Sequence, residues 1–211
     1  MIAVPAIRRS NQAAAMVLGY LAFGVVYLGS GALRLVAPTA LAPSALDAAV
    51  PYLDWSVWVY LSQFLLIASG ILFARDDLDR SHTFYALLVA TVVAAPFFIA
   101  WPTTVPRVAP GTDGITGLAW RLLHLADTPA NCFPSLHVAL AVISARALWR
   151  RGWQTLATGW PILIAISTLT TRQHVAWDIP GGLVLGIFAI WLTPRILRLE
   201  RAQLADDPAD A

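Results

Sequence analysis

The sequence contains no lysine. All 14 basic residues are arginine, against 12 acidic ones among 211 residues, a formal net charge of +2. So small an excess, with no clustered basic face, excludes nucleic acid as a partner. Cysteine occurs once, at Cys132, which excludes an internal disulfide and any metal site built on several thiolates. Charge of either sign is scarce: charged residues make up 12% of the chain and hydrophobic ones 58%, where a soluble domain is about a quarter charged. With a mean hydropathy of +0.68, this balance points to lipid as the surrounding solvent.

What is present is a series of long apolar runs. A helix crossing a hydrocarbon core about 30 Å thick needs roughly 20 mostly apolar residues. Six stretches qualify, at 13–36, 54–74, 83–101, 135–149, 153–171 and 174–192, the fourth being short. The expected fold is therefore all-α, an integral membrane six-helix transmembrane bundle forming one domain over 1–199. The polar, acidic stretch 200–211 reads as a disordered tail. Ten arginines (8, 9, 75, 80, 146, 150, 151, 195, 198 and 201) fall on one side of such a bundle, leaving Arg34, Arg107, Arg121 and Arg172 for the other. The arginine-rich side is expected to be cytoplasmic, with both termini on it, in a cytoplasmic (inner) membrane.

The chemistry-bearing residues gather on the opposite side. Arg107 lies just past the third span, Ser135 and His137 open the fourth, and Ser167, Arg172, His174 and Asp178 cross from the fifth into the sixth. An ionisable group at the centre of a span costs roughly 2.5–3.5 kcal/mol on insertion scales, and such groups mark function by default. His174 and Asp178 are four residues apart, which on a continuous helix puts them on one face. The carboxylate can then hold one ring nitrogen and leave the other as a nucleophilic lone pair, giving a phosphohistidine intermediate. His137 suits a general acid for the leaving group. Ser135 at a helix start, Ser167, and the planar forks of Arg107 and Arg172 suit phosphate oxygens. Phosphoryl transfer rests mostly on positioning and charge stabilisation, so neither a metal nor a cofactor is expected.

These residues resemble the type 2 phosphatidic acid phosphatase superfamily. Pro134-Ser135-Leu136-His137 is similar to that family's Pro-Ser-Gly-His motif, and Ser167, His174 and Asp178 fit the spacing of its Ser-Arg, five residues, His, three residues, Asp motif. The first motif, Lys, six residues, Arg-Pro, is only partly matched: Arg107 stands for its Arg, Ala100 falls at its Lys, and Pro106 precedes the Arg. Thr168 stands where the third motif has Arg, so Arg172 is the expected substitute. Gly182 and Gly186 resemble the small residues that follow the motif and suit close helix packing. The run from Cys132 to Ala139, with Thr170-Thr171-Arg172-Gln173-His174, resembles the branch that includes inositol phosphorylceramide synthases.

The resemblance implies a lipid phosphate substrate among membrane lipids, with water or a lipid or polyol hydroxyl as acceptor. Two other classes compete: a haem-binding membrane electron carrier with His137 and His174 as axial ligands, and a non-catalytic transporter or structural protein. Oligomeric state is not readable. His82, His124, Arg121 and Cys132 are expected to serve structure, and Pro180 to bend the top of the sixth span.

Overall fold

The computed structural model describes residues 1–108 and 111–200. Apart from Glu200, the expected tail lies outside the described residues. A short strand β1 (Ile2–Val4) leads into α1 (Gln12–Ala32); β2 (Thr39–Ala40) and the five-residue α2 (Ala45–Ala49) follow. A 3-10 turn at Asp54–Ser56 runs into α3 (Val57–Leu61) and α4 (Gln63–Leu72), and α5 (Asp77–Ala100) comes next. β3 (Thr103–Thr104), α6 (Gly114–Ala126), α7 (Leu136–Arg151), α8 (Gln154–Thr170), α9 (Asp178–Ile196) and β4 (Leu197–Leu199) complete the order. The strands form two small parallel pairs, β1 with β4 and β2 with β3, which tie loops together and leave the fold all-α.

Among the described residues, four helical stretches are long and apolar enough to cross a membrane: Gln12–Ala32, Asp54–Leu72, Asp77–Ala100 and Asp178–Ile196. This is what an integral membrane protein requires. α7 and α8 have 16 and 17 residues. At 1.5 Å per residue they rise only about 24–26 Å, so two of the six expected spans fall short by length. α7 compensates by being sheltered: it packs against α4, α5, α8 and α9 and buries ten of its residues, four of them alanine. Small side chains let neighbouring backbones approach it closely. α1 is the opposite case. It buries only Ala15, Ser30 and Gly31 and turns Val17, Leu21 and Val25 outward, as a helix bathed in lipid must.

Helix ends follow local chemistry. Asp76 caps α5 by accepting from the Asp79 N–H at 2.7 Å, which starts that helix at Asp77 rather than at Thr83, and places His82 inside it. Gly152 ends α7 at φ +98°, a left-handed cap that suits a residue without Cβ. α9 begins at Asp178, so the sixth span starts four residues later than expected and His174 lies in the preceding loop. Pro180 falls in the first turn of α9, where its missing N–H has no partner to lose, and no bend is needed there. At the end of the bundle remote from His174, the buried Asp79 carboxylate pairs with Arg146 at 3.1 Å and Arg150 at 2.8 Å, joining α5 to α7.

α9 meets α7 through Gly182 and Gly186. A Cβ on Gly186 would lie 2.8 Å from the Ala139 carbonyl oxygen and 3.2 Å from its Cα, whereas one on Gly24 of α1 would meet nothing within 4 Å. Gly186→Val should therefore destabilise the protein by about 1–3 kcal/mol and lower its Tm in detergent, while Gly24→Ala should leave Tm unchanged or raise it.

Candidate active site

The loop carrying His174 is built by the way α8 ends. Arg172 takes φ +55°, the left-handed region that side chains other than glycine rarely enter, at about 1–3 kcal/mol. The chain thereby folds back, and the Gln173 and His174 amides both bond the Thr168 carbonyl at 3.1 Å. Arg172 itself is anchored outward, donating to the carbonyls of Asp47 at 2.5 Å and Val50 at 2.7 Å. The Asp47 carboxylate accepts from Ala176 N–H at 2.7 Å and from the Ser44 amide at 2.7 Å. The α1–α3 connection thus clamps both sides of the His174 turn.

Within that turn His174 Nδ1 lies 3.0 Å from Asp178 Oδ2. The carboxylate can only accept, so Nδ1 carries the proton and Nε2 presents a lone pair. The Val175 amide donates to the same oxygen at 3.1 Å. Ser135, the N-cap of α7, sits 3.3 Å from His174 Nε2 through its hydroxyl. His137, on the first turn of α7, faces His174 with ring centroids 5.7 Å apart, and its Nδ1 lies 3.2 Å from the Tyr60 hydroxyl. An imidazole lone pair and a second imidazole thus look into one space.

That space is a small polar cavity lined by His137, His174, Tyr60, Arg107, Asp127 and Asn131 among others. Arg107 pairs with Asp127 at 2.8 Å, and Asp127 also accepts from the Tyr27 hydroxyl of α1. A larger apolar cleft of about 130 Å³ runs between α1, α4, α5 and α7, past Phe23, Phe64, Ile67, Phe84, Leu88 and Leu140. Tyr27, Tyr60, Asp127 and His137 line both spaces, so the two adjoin.

Of the residues singled out from sequence, His137, His174, Asp178, Ser135 and Arg107 come together. Arg172 and Ser167 do not. The left-handed turn aims the Arg172 guanidinium at the α2 loop, and the Ser167 hydroxyl bonds its own helix at the Ile164 carbonyl, 2.7 Å away. His174 and Asp178 do meet, but through a loop folding onto a helix N-terminus and not along one helix face. Tyr60, Asp127 and Asn131 were missed. An aromatic in an apolar span and polar residues in a long loop carry no local sign of convergence. Cys132 is buried, and burial, with the Asp178 and Asp127 charges behind it, pushes its thiol up to about 12; it stays protonated and unreactive at neutral pH.

A helical membrane architecture thus brings two imidazoles and one arginine to a single cavity. A family model described as the PAP2 superfamily matches residues 32–192, most of the chain. The chain belongs to the PAP2 superfamily, and with it to phosphatase-type enzymes acting on phosphate esters. This displaces the electron-carrier and transporter readings. No curated protein and no solved structure shows significant similarity to it.

The clamp has a pH signature. Burial alone would raise the Asp47 carboxyl, but the bonds it accepts from Ser44 and Ala176 and the nearby Arg172 charge hold it below the usual carboxylate range. A depressed folded value means that its stabilisation is present above about pH 4 and lost as pH falls through the folded value. Tm measured against pH should fall in that acid range, and Asp47→Asn should lower Tm at neutral pH and flatten the acid limb.

Proposed function

We propose that the protein is a metal-independent membrane phosphatase or phosphotransferase that acts on a lipid phosphate through a phosphohistidine on His174. The observation that carries this reading is the His174–Asp178 contact, at 3.0 Å, facing His137 across one cavity. His174 Nε2 attacks phosphorus, and Asp178 balances the positive charge that the phosphorylated ring acquires. His137 protonates the leaving oxygen and then serves as base for the incoming acceptor. Arg107, released from Asp127, takes phosphate oxygens, and Ser135 moves off the nucleophile to join it. Arg172 and Ser167 act on the turn and not on phosphate.

The apolar cleft that adjoins the cavity, sharing Tyr27, Tyr60, Asp127 and His137 with it, supports a lipid tail beside the reacting headgroup. The arginine distribution supports cytoplasmic termini with the site on the opposite side, and a six-span topology follows if α7 and α8 cross within the shelter of their neighbours. The described residues read as one catalytic unit. For the acceptor, the resemblance around Phe133-Pro134-Ser135-Leu136-His137 favours a lipid or polyol hydroxyl, as in inositolphosphotransferases; water gives the phosphatase.

Purified His174→Ala should lose essentially all turnover, and retained turnover would remove the proposal. His137→Ala should lower kcat by about 10²–10⁴-fold for alkyl esters. Phosphate release measured beside headgroup exchange on the same lipid panel separates water from an alcohol as acceptor. For monomeric short-chain lipid phosphates, kcat/KM should climb with each added methylene, by up to about fourfold per CH₂ at about 0.8 kcal/mol, until the cleft is filled. A flat series would count against a tail-binding cleft.

A further inference from the structure

The two imidazoles are held at the same ring position by chemically different partners. His174 Nδ1 meets a carboxylate; His137 Nδ1 meets a phenol, Tyr60, at 3.2 Å, with ring centroids 4.1 Å apart. Tyr60 is 1% exposed and comes from α3, a different element from either histidine. Its place is fixed from behind. Its ring belongs to a cluster with Val57, Ala119, Trp120 and Leu123, and the Trp120 indole donates to the Asp54 carbonyl at 3.0 Å, pinning α6 to the start of the helix that carries Tyr60.

We propose that Tyr60 is the positioning residue of His137, its phenol oxygen accepting the Nδ1–H so that Nε2 faces the leaving group, and that its lack of charge assigns His137 the role of proton donor. This rests on the phosphohistidine reading above. A carboxylate beside an imidazole favours the imidazolium. That suits His174, whose phosphorylated ring is cationic. A carboxylate on His137 would oppose proton release, which is the step that His137 has to perform; a phenol orients the ring without adding that opposition.

The proton balance closes over two steps. First, the His174 Nε2 lone pair forms the N–P bond, the P–O ester bond breaks with its electron pair on the leaving oxygen, and that oxygen takes the His137 Nε2 proton. His137 is then neutral, with its remaining proton on Nδ1 and still bonded to Tyr60. Second, the acceptor oxygen forms a new P–O bond, its proton goes to His137 Nε2, and the N–P electrons return to His174. Tyr60 holds the same tautomer through both steps, which is what a reversible acid–base needs.

The test is Tyr60→Phe in the full-length protein in detergent, assayed on two phosphate monoesters that share a tail, one with an alkyl alcohol as leaving group and one with a nitrophenol. For the alkyl ester kcat/KM, which reports the steps up to release of the alcohol, should fall by about ten- to a hundredfold. For the nitrophenyl ester, whose leaving oxygen needs no proton, kcat/KM should change less than threefold. In a His137→Ala background, Tyr60→Phe should cause no further loss on either ester. Equal losses on both leaving groups, no loss on either, or an added loss without His137 would each overturn the assignment. His174→Ala on the nitrophenyl ester tests the underlying reading separately, since retained turnover there removes the phosphohistidine whatever Tyr60 does.

Discussion

Everything at the reactive end depends on one buried carboxylate. Asp178 is fully buried, and a charge taken out of water costs several kcal/mol unless it is paired and hydrogen-bonded. Here Oδ2 is matched by the His174 Nδ1–H and the Val175 amide, while Oδ1 has no hydrogen-bond partner among the described residues and relies on the position of Asp178 as the first residue of α9, where the helix macrodipole favours negative charge. Those partners exist only because α8 stops where it does. The left-handed Arg172 ends that helix, and its guanidinium, bonded to the Asp47 and Val50 carbonyls, holds the unfavourable backbone in place. Arg172 is thereby occupied in shaping the loop that carries His174.

The bundle supplies the second half of the arrangement by letting α7 sit at its centre. Alanines along α7 and glycines on α9 bring the two backbones close, and this sets Ser135 beneath His174 and His137 beside it. Van der Waals packing between small residues is the main attraction left between helices in lipid, since the hydrophobic effect between them is absent there. A short α7 is tolerated because its neighbours, and not lipid, surround it.

The two cavities divide recognition. The polar one holds the imidazoles and Arg107 with its counter-charge Asp127; the apolar one lies between α1 and the α4–α5–α7 wall. Tyr27 and Tyr60 stand at the junction, each with an aromatic body on the apolar side and a hydroxyl on the polar side, which is the use to which tyrosine is suited. His137 stands at the boundary between the two.

Composition and periodicity made the membrane helices legible, because each long apolar run has to satisfy its own backbone hydrogen bonds whatever its neighbours do. The motif spacings likewise exposed His137, His174 and Asp178, since their relation is local in the chain or recurs in the family. Helix starts were unevenly legible: α1, α7 and α8 begin within a residue of the expected bounds, α5 begins at the Asp76 cap, well before Thr83, and α9 begins later than expected because His174 lies in the turn that Arg172 makes. What only the tertiary structure decided is which distant side chains share the cavity. Tyr60, Asp127 and Asn131 come from separate segments, and Arg172 is turned away by contacts to a segment more than a hundred residues earlier. Such placements depend on how helices pack and where loops dock, and no pattern within a single segment encodes them.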